Sequence, residues 1–115
     1  VGVNQAGAVY DCCVDGIHAP GEAGEAMIGA MGEVAAVGRA EGVDLTDADV
    51  AYWLDIIDHL NPAGMPSLRQ DVLARRPTEV ELFGGTINRL GAAHGIPTPV
   101  NERFYAAIKA LEASW

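Results

Sequence analysis

Apolar side chains in this chain recur every three to four residues, and Gly, Pro and Asn cut them into short runs. That rhythm favours packed helices and leaves no convincing strand. Val1 to Cys13 is mostly small and apolar and reads as the first helical run. It begins abruptly, with no Met, cap or turn residue, like the interior of a longer polypeptide. Asp15 to Gly21 is rich in turn residues. A second run places Met27, Met31, Val34 and Val37 at helical spacing and stops at Gly42, where glycine suits a helix end. Thr46 and Asp49 form a capping box with Asp in place of Glu, opening a helix whose inner face is Val50, Trp53, Leu54 and Ile57. Asn61-Pro62-Ala63-Gly64 ends it.

A fourth helix is predicted from near Pro66-Ser67 to just before Pro77. Thr78 and Glu81 make a second capping-box pair, followed by a stripe of Val80, Phe83, Ile87 and Leu90 or Gly91. Gly95 closes that helix. The Pro97 and Pro99 loop then leads to Asn101, a good N-cap, and to a last stripe of Phe104, Ile108, Leu111 and Trp115. The expected architecture is a single all-α bundle of about six helices spanning residues 1–115.

Charge narrows the partners. Seven Lys and Arg against sixteen Asp and Glu give a net charge of −9, and only Arg75-Arg76 are adjacent. Phosphate backbones and anionic membranes call for clustered cations, so nucleic acid and membrane surfaces are not expected partners. No apolar run approaches the roughly 18 to 20 residues that span a bilayer. The first residues also lack the basic segment and apolar core of a signal peptide, so a soluble, cytoplasmic chain is expected. Cys12 and Cys13 are adjacent, which makes a disulfide between them a strained ring; two small thiols on a helix are the simpler reading. His18, His59 and His94 are far apart and there is no Cys-x-x-Cys, so no metal site is expected. Gly24 to Gly29 carries half of a phosphate-loop pattern but continues into Ala30-Met31, and its glycines read as close helix packing.

Four polar residues stand out. Asn4 lies among small apolar residues, where an amide must find hydrogen-bond partners. Ser67 follows Pro66 at a helix start and suits a cap. Glu79 sits where the helix dipole favours any acid. Glu33 shares its helix face with Ala26, Gly29, Ala30, Ala36, Val37 and Ala40, and a carboxylate buried there would need a cationic partner.

From Ser67 to Asn101 these residues fall into an ordered set: Ser67, Gln70-Asp71, Thr78-Glu79, Gly84, His94-Gly95, Pro99 and Asn101. That order and spacing resembles the C-terminal domain of ketopantoate reductases, the NADPH-dependent 2-dehydropantoate 2-reductases. The likeness runs on through Val3-Asn4, Glu33 to Val37 with Glu41-Gly42, and the final run from Phe104 to Glu112. It implies a helical substrate and dimerisation domain of the kind found in ketopantoate reductase and 6-phosphogluconate dehydrogenase-like enzymes. A nucleotide-binding domain that holds NADP would then lie outside this chain.

The resemblance implies an oxidoreductase of pantothenate biosynthesis, reducing a 2-keto acid to a 2-hydroxy acid by hydride transfer. It assigns Asn4 and Ser67 to the substrate. Glu79 is assigned to the nicotinamide side and to organising a catalytic lysine, and Glu33 is a candidate partner for that lysine. Gln70 and Asp71 are left to helix packing. The proton-donating lysine of the family falls one step before Val1, and a second substrate asparagine is matched here by Ala8. The partners implied are a small 2-keto acid, the protein's own N-terminal domain and, in some assemblies, a second copy. If the resemblance holds, Asn4, Ser67 and Glu79 should face one cleft with Glu33 nearby. The alternatives are a non-enzymatic helical module for dimerisation or partner binding, and a reductase of the β-hydroxyacid dehydrogenase or imine-reducing kind.

Overall fold

The computed structural model describes residues 1–18 and 21–115, with the side chain of His18 outside that set. Seven α-helices occur among the described residues, and no strand. They are α1 (Gly2–Val9), α2 (Val14–His18), α3 (Glu22–Ala40), α4 (Asp47–Asp58), α5 (Ser67–Leu73), α6 (Thr86–His94) and α7 (Pro99–Ala113). A π-helical segment, Glu81–Gly85, runs directly into α6. The predicted all-α bundle is the observed one, with one helix more than expected. That helix is α2, which occupies the start of the stretch read as turn; the rest of that stretch, at Ala19 and Pro20, lies outside the described residues. Among the described residues no helix is long and apolar enough to cross a membrane.

The short, small-residue helix α1 is the hub, packing on α2, α3, α5 and α7. Its glycines allow the neighbours to come close. A Cβ on Gly2 would stand 3.0 Å from Met31 Cγ, and one on Gly7 would stand 3.0 Å from Pro66 Cγ. Two apolar clusters flank it. One holds Ala6, Ile17, Met27, Ala30, Ile57 and Phe104; the other holds Ala8, Leu68, Val80 and Ile108. Phe104 and Ile108, one turn apart on α7 and both fully buried, place a large side chain in each cluster. Burial of that kind contributes about 1.5–3 kcal/mol per side chain.

Local signals worked where nothing distant competed. The Thr46 and Asp49 capping box is complete, with Asp49 N–H donating to Thr46 Oγ1 at 3.3 Å and Thr46 N–H to Asp49 Oδ2 at 2.8 Å. Gly95 ends α6 in the left-handed conformation at φ 68°, the expected helix stop.

Elsewhere a tertiary partner overrides the local reading. Thr78 does not pair with Glu81: its hydroxyl and N–H both reach Glu112 of α7, and Glu81 turns to Tyr105 and Lys109. Asn101 is not the N-cap of α7, because the helix already starts at Pro99, whose fixed φ suits a first helical position. Trp53 and Trp115, placed on inner faces by periodicity, are 55% and 39% exposed. The cause for Trp53 is that α4 lies at the edge of the bundle, packing mainly on α2 and α3, and buries Ile57 instead.

Candidate functional site

Helix α5 begins at Ser67, and its first N–H groups have no partners within the helix. Asn4, projecting from α1, supplies one. Its Oδ1 accepts from the Ser67 hydroxyl at 3.0 Å and from Leu68 N–H at 3.3 Å. The cap of α5 is thus delivered from another helix, and it fixes the rotamer of Asn4. Two bonds occupy Oδ1, while among the described residues the Asn4 Nδ2 amide has no hydrogen-bond partner. Ser67 spends its proton on Asn4 and keeps its oxygen lone pairs.

The pair lies on the wall of a cleft of about 380 Å³. Val3, Val14, Leu60, Met65 and Pro66 make the cleft apolar, and Asn61 adds a third polar group. Asn61 Oδ1 accepts from Ala63 N–H at 3.0 Å, which folds the loop between α4 and α5 over the cleft. Asn61 was read in the sequence as a turn residue only. Turn chemistry and cleft lining coexist here, and no local pattern separates them.

Glu33 is not in this cleft. Its carboxylate sits at the start of α7, where Oε2 accepts from Val100 N–H at 2.9 Å and Oε1 from Asn101 N–H at 2.9 Å and from Asn101 Nδ2 at 2.8 Å. The expected cationic partner is replaced by amide donors at a helix N-terminus, which stabilise a carboxylate by directed hydrogen bonds and by the helix dipole. Glu79 is exposed, just ahead of the π-helical segment, and does not line the cleft. Its backbone carbonyl accepts from Phe83 N–H at 3.0 Å, and its side chain makes no hydrogen bond among the described residues. Of the four predicted residues, then, Asn4 and Ser67 are brought into contact, Glu33 caps a helix and Glu79 stands apart from the cleft.

A second polar group was missed. Gln5, fully buried, donates from Nε2 to Asn101 Oδ1 at 3.0 Å, and Asn101 Nδ2 also donates to the Ala30 carbonyl at 3.2 Å. Among the described residues Gln5 Oε1 is buried without a partner, an arrangement that costs about 1–3 kcal/mol. A glutamine inside the small-residue run of α1 was the available signal.

On the far side, Tyr105 donates to Glu81 at 2.6 Å beside Lys109. That bond holds the Glu81 carboxyl below the usual carboxylate range and raises the Tyr105 phenol. Among the described residues no group of His, Cys, Asp and Glu is arranged to hold a metal ion. Nor do they contain the strand, glycine loop and helix that seat a dinucleotide.

Residues 1–112 match the family described as ketopantoate reductase PanE/ApbA C terminal. Over 113 residues the chain is 34% identical to 2-dehydropantoate 2-reductase of Vibrio cholerae serotype O1, covering 98% of this chain and 38% of that relative. It is 37% identical to the Caulobacter vibrioides enzyme of the same name over 110 residues, covering 94% of this chain and 38% of the relative. The crystal structure of a PanE/ApbA family ketopantoate reductase from Ralstonia eutropha JMP134 superposes with a TM-score of 0.87 at 31% identity, over 98% of this chain and 38% of that one. The chain therefore spans well under half the length of these relatives. With a match over nearly its whole length and a shared helical fold, the chain belongs to the ketopantoate reductase C-terminal domain family.

Proposed function

We propose that the intact protein is an NADPH-dependent reductase of 2-keto acids, with 2-dehydropantoate as the leading substrate, and that this domain forms the substrate side of its active site. The observation that carries the reading is the hydrogen bond between Asn4 and Ser67 on a cleft wall, since these are the two residues that the family resemblance assigns to substrate. The names of the relatives, each a 2-dehydropantoate 2-reductase, support the reaction class.

The polarity of the pair defines what it can bind. Asn4 Nδ2 offers N–H donors, which suit a carboxylate or a keto oxygen. Ser67 Oγ, having donated its proton to Asn4, offers acceptors, which suit a substrate hydroxyl. The apolar walls from Val3, Val14, Leu60 and Met65 suit methyl groups between those polar ends. A hydroxylated, branched 2-keto acid such as 2-dehydropantoate has all three features.

NADPH, when bound, supplies the hydride to the keto carbon. A dinucleotide unit outside these residues holds it, with the exposed Glu79 carboxylate on the cofactor side. The domain's own contribution is orientation: it fixes the carboxylate and hydroxyl ends so that the keto carbon points out of the cleft. In the intact protein, Ser67→Ala should leave the substrate hydroxyl without its partner and lower kcat/KM for 2-dehydropantoate by about 5- to 150-fold, the equivalent of roughly 1–3 kcal/mol. An unchanged kcat/KM would sink the assignment.

A further inference from the structure

A chain of hydrogen bonds leads from Glu33 to the residue beside Asn4, and its direction is forced. The Glu33 carboxylate and the Ala30 carbonyl only accept, so Asn101 must turn Nδ2 toward them, at 2.8 and 3.2 Å. Asn101 Oδ1 then faces Gln5, which must answer with Nε2, at 3.0 Å. Gln5 Oε1 is left pointing at the π-helical segment with no partner among the described residues. A Cβ on Gly84 would come within 2.5 Å of it. Leaving a buried carbonyl oxygen unpaired costs stability, and a residue kept at that cost is commonly there for function.

Helix α1 has need of such a pin. It is 8 residues long, has no side-chain cap, and packs largely through glycine and alanine. A helix that smooth has little to set its rotation or its position along its axis. Asn4 is the next residue to Gln5, a third of a turn around the helix, so a small rotation of α1 swings the Asn4 amide away from Ser67. We infer that Gln5 is a positioning residue: by its bond to Asn101 it sets the rotation of α1, and so the direction in which Asn4 presents its amide to Ser67 and the cleft. The effect on catalysis rests on the function proposed above, whereas the effect on geometry does not.

The test uses the intact protein with Gln5→Met, which keeps the length of the side chain and removes its polar atoms. Two quantities are measured. One is amide hydrogen exchange at Leu68, whose N–H donates to Asn4 Oδ1. The other is the split between KM and kcat for 2-dehydropantoate. Leu68 exchange should accelerate by roughly 3- to 10-fold while Phe104 and Ile108 amides stay protected, and KM should rise by a similar factor with kcat changed less and the NADPH Kd unchanged. A purely structural glutamine would instead lower the global unfolding midpoint and shift all amides together. Wild-type Leu68 exchange and wild-type KM in folded Gln5→Met would overturn the inference.

Should that variant not fold, Gly84→Ala presses a methyl group against Gln5 Oε1 and should give the same two changes; neither change in folded Gly84→Ala would overturn the inference equally. If the wild-type protein does not reduce 2-dehydropantoate, the proposed function fails and Leu68 exchange alone decides the role of Gln5.

Discussion

Glu33 and Asn101 are joined twice, the carboxylate accepting the backbone N–H at 2.9 Å and the side-chain amide at 2.8 Å. With Val100 N–H added, one acidic residue of α3 satisfies two backbone donors at the start of α7 and orients the side chain that accepts the Gln5 hydrogen bond. Glu33→Ala should therefore cost about 2–4 kcal/mol, more than the loss of an ordinary cap. Glu33→Gln, which keeps an acceptor, should lie between. Urea unfolding of the intact protein measures both, and an unchanged midpoint for Glu33→Ala would remove the capping role.

Glycines in this domain divide into filled and open positions. A Cβ on Gly91 would meet Thr98 Cγ2 at 2.8 Å and the Ile96 carbonyl at 2.9 Å, whereas one on Gly32 would meet nothing within 4 Å. Gly91→Ala should destabilise by about 1–3 kcal/mol through overpacking against backbone. Gly32→Ala, in the exposed interior of α3, should stabilise by about 0.5–1 kcal/mol through helix propensity. The opposite signs in one thermal-melt series are the check.

The Tyr105 and Glu81 bond has a defined pH signature. Glu81 is lowered, first by the Tyr105 hydrogen bond, so its contribution is present above the ordinary carboxylate range and fades as pH falls through its lowered folded value. Tyr105 is raised, first by the same bond, so its contribution is complete below the ordinary phenol range and fades as pH rises through its raised value. Tyr105→Phe should move the Glu81 titration upward in carbon-detected NMR; no movement would mean that the cations Lys109 and Arg89 hold it without Tyr105.

Two aromatic residues separate periodicity from burial. Phe104, 0% exposed, should lose about 3–5 kcal/mol on substitution by alanine. Trp53, 55% exposed on α4, should lose about 1 kcal/mol or less. Comparable losses at the two positions would mean that Trp53 is covered in the intact protein.

These contrasts mark what a sequence can carry. Thr46 and Asp49 were legible because both halves of the box lie within one helical turn. Thr78 and Glu81 have the same pattern and fail, because Glu112 competes for Thr78 from another helix. Trp53 follows the helical period faithfully, but a period names one face of a helix and cannot say whether anything packs on it. The shift into π geometry at Glu81–Gly85 has no spacing signal of its own. In the site, Asn4 and Ser67 were legible only through their resemblance to a family pattern. Gln5 stood in plain view and needed Asn101 beside it to acquire a role.

The origin of the α7 cap on α3 bears on how the domain assembles. Helix α7 holds the anchors of both apolar clusters, yet its first turn has no side-chain cap of its own. Helices of this length are marginal alone. The contact that completes α7 closes a loop of 68 residues, an entropic cost on the order of 4 kcal/mol that must be met before the cap returns anything. That closure cost predicts that the start of α7 locks late, once α3 is in place to receive it. Mutations at Glu33 should accordingly change the unfolding rate more than the folding rate.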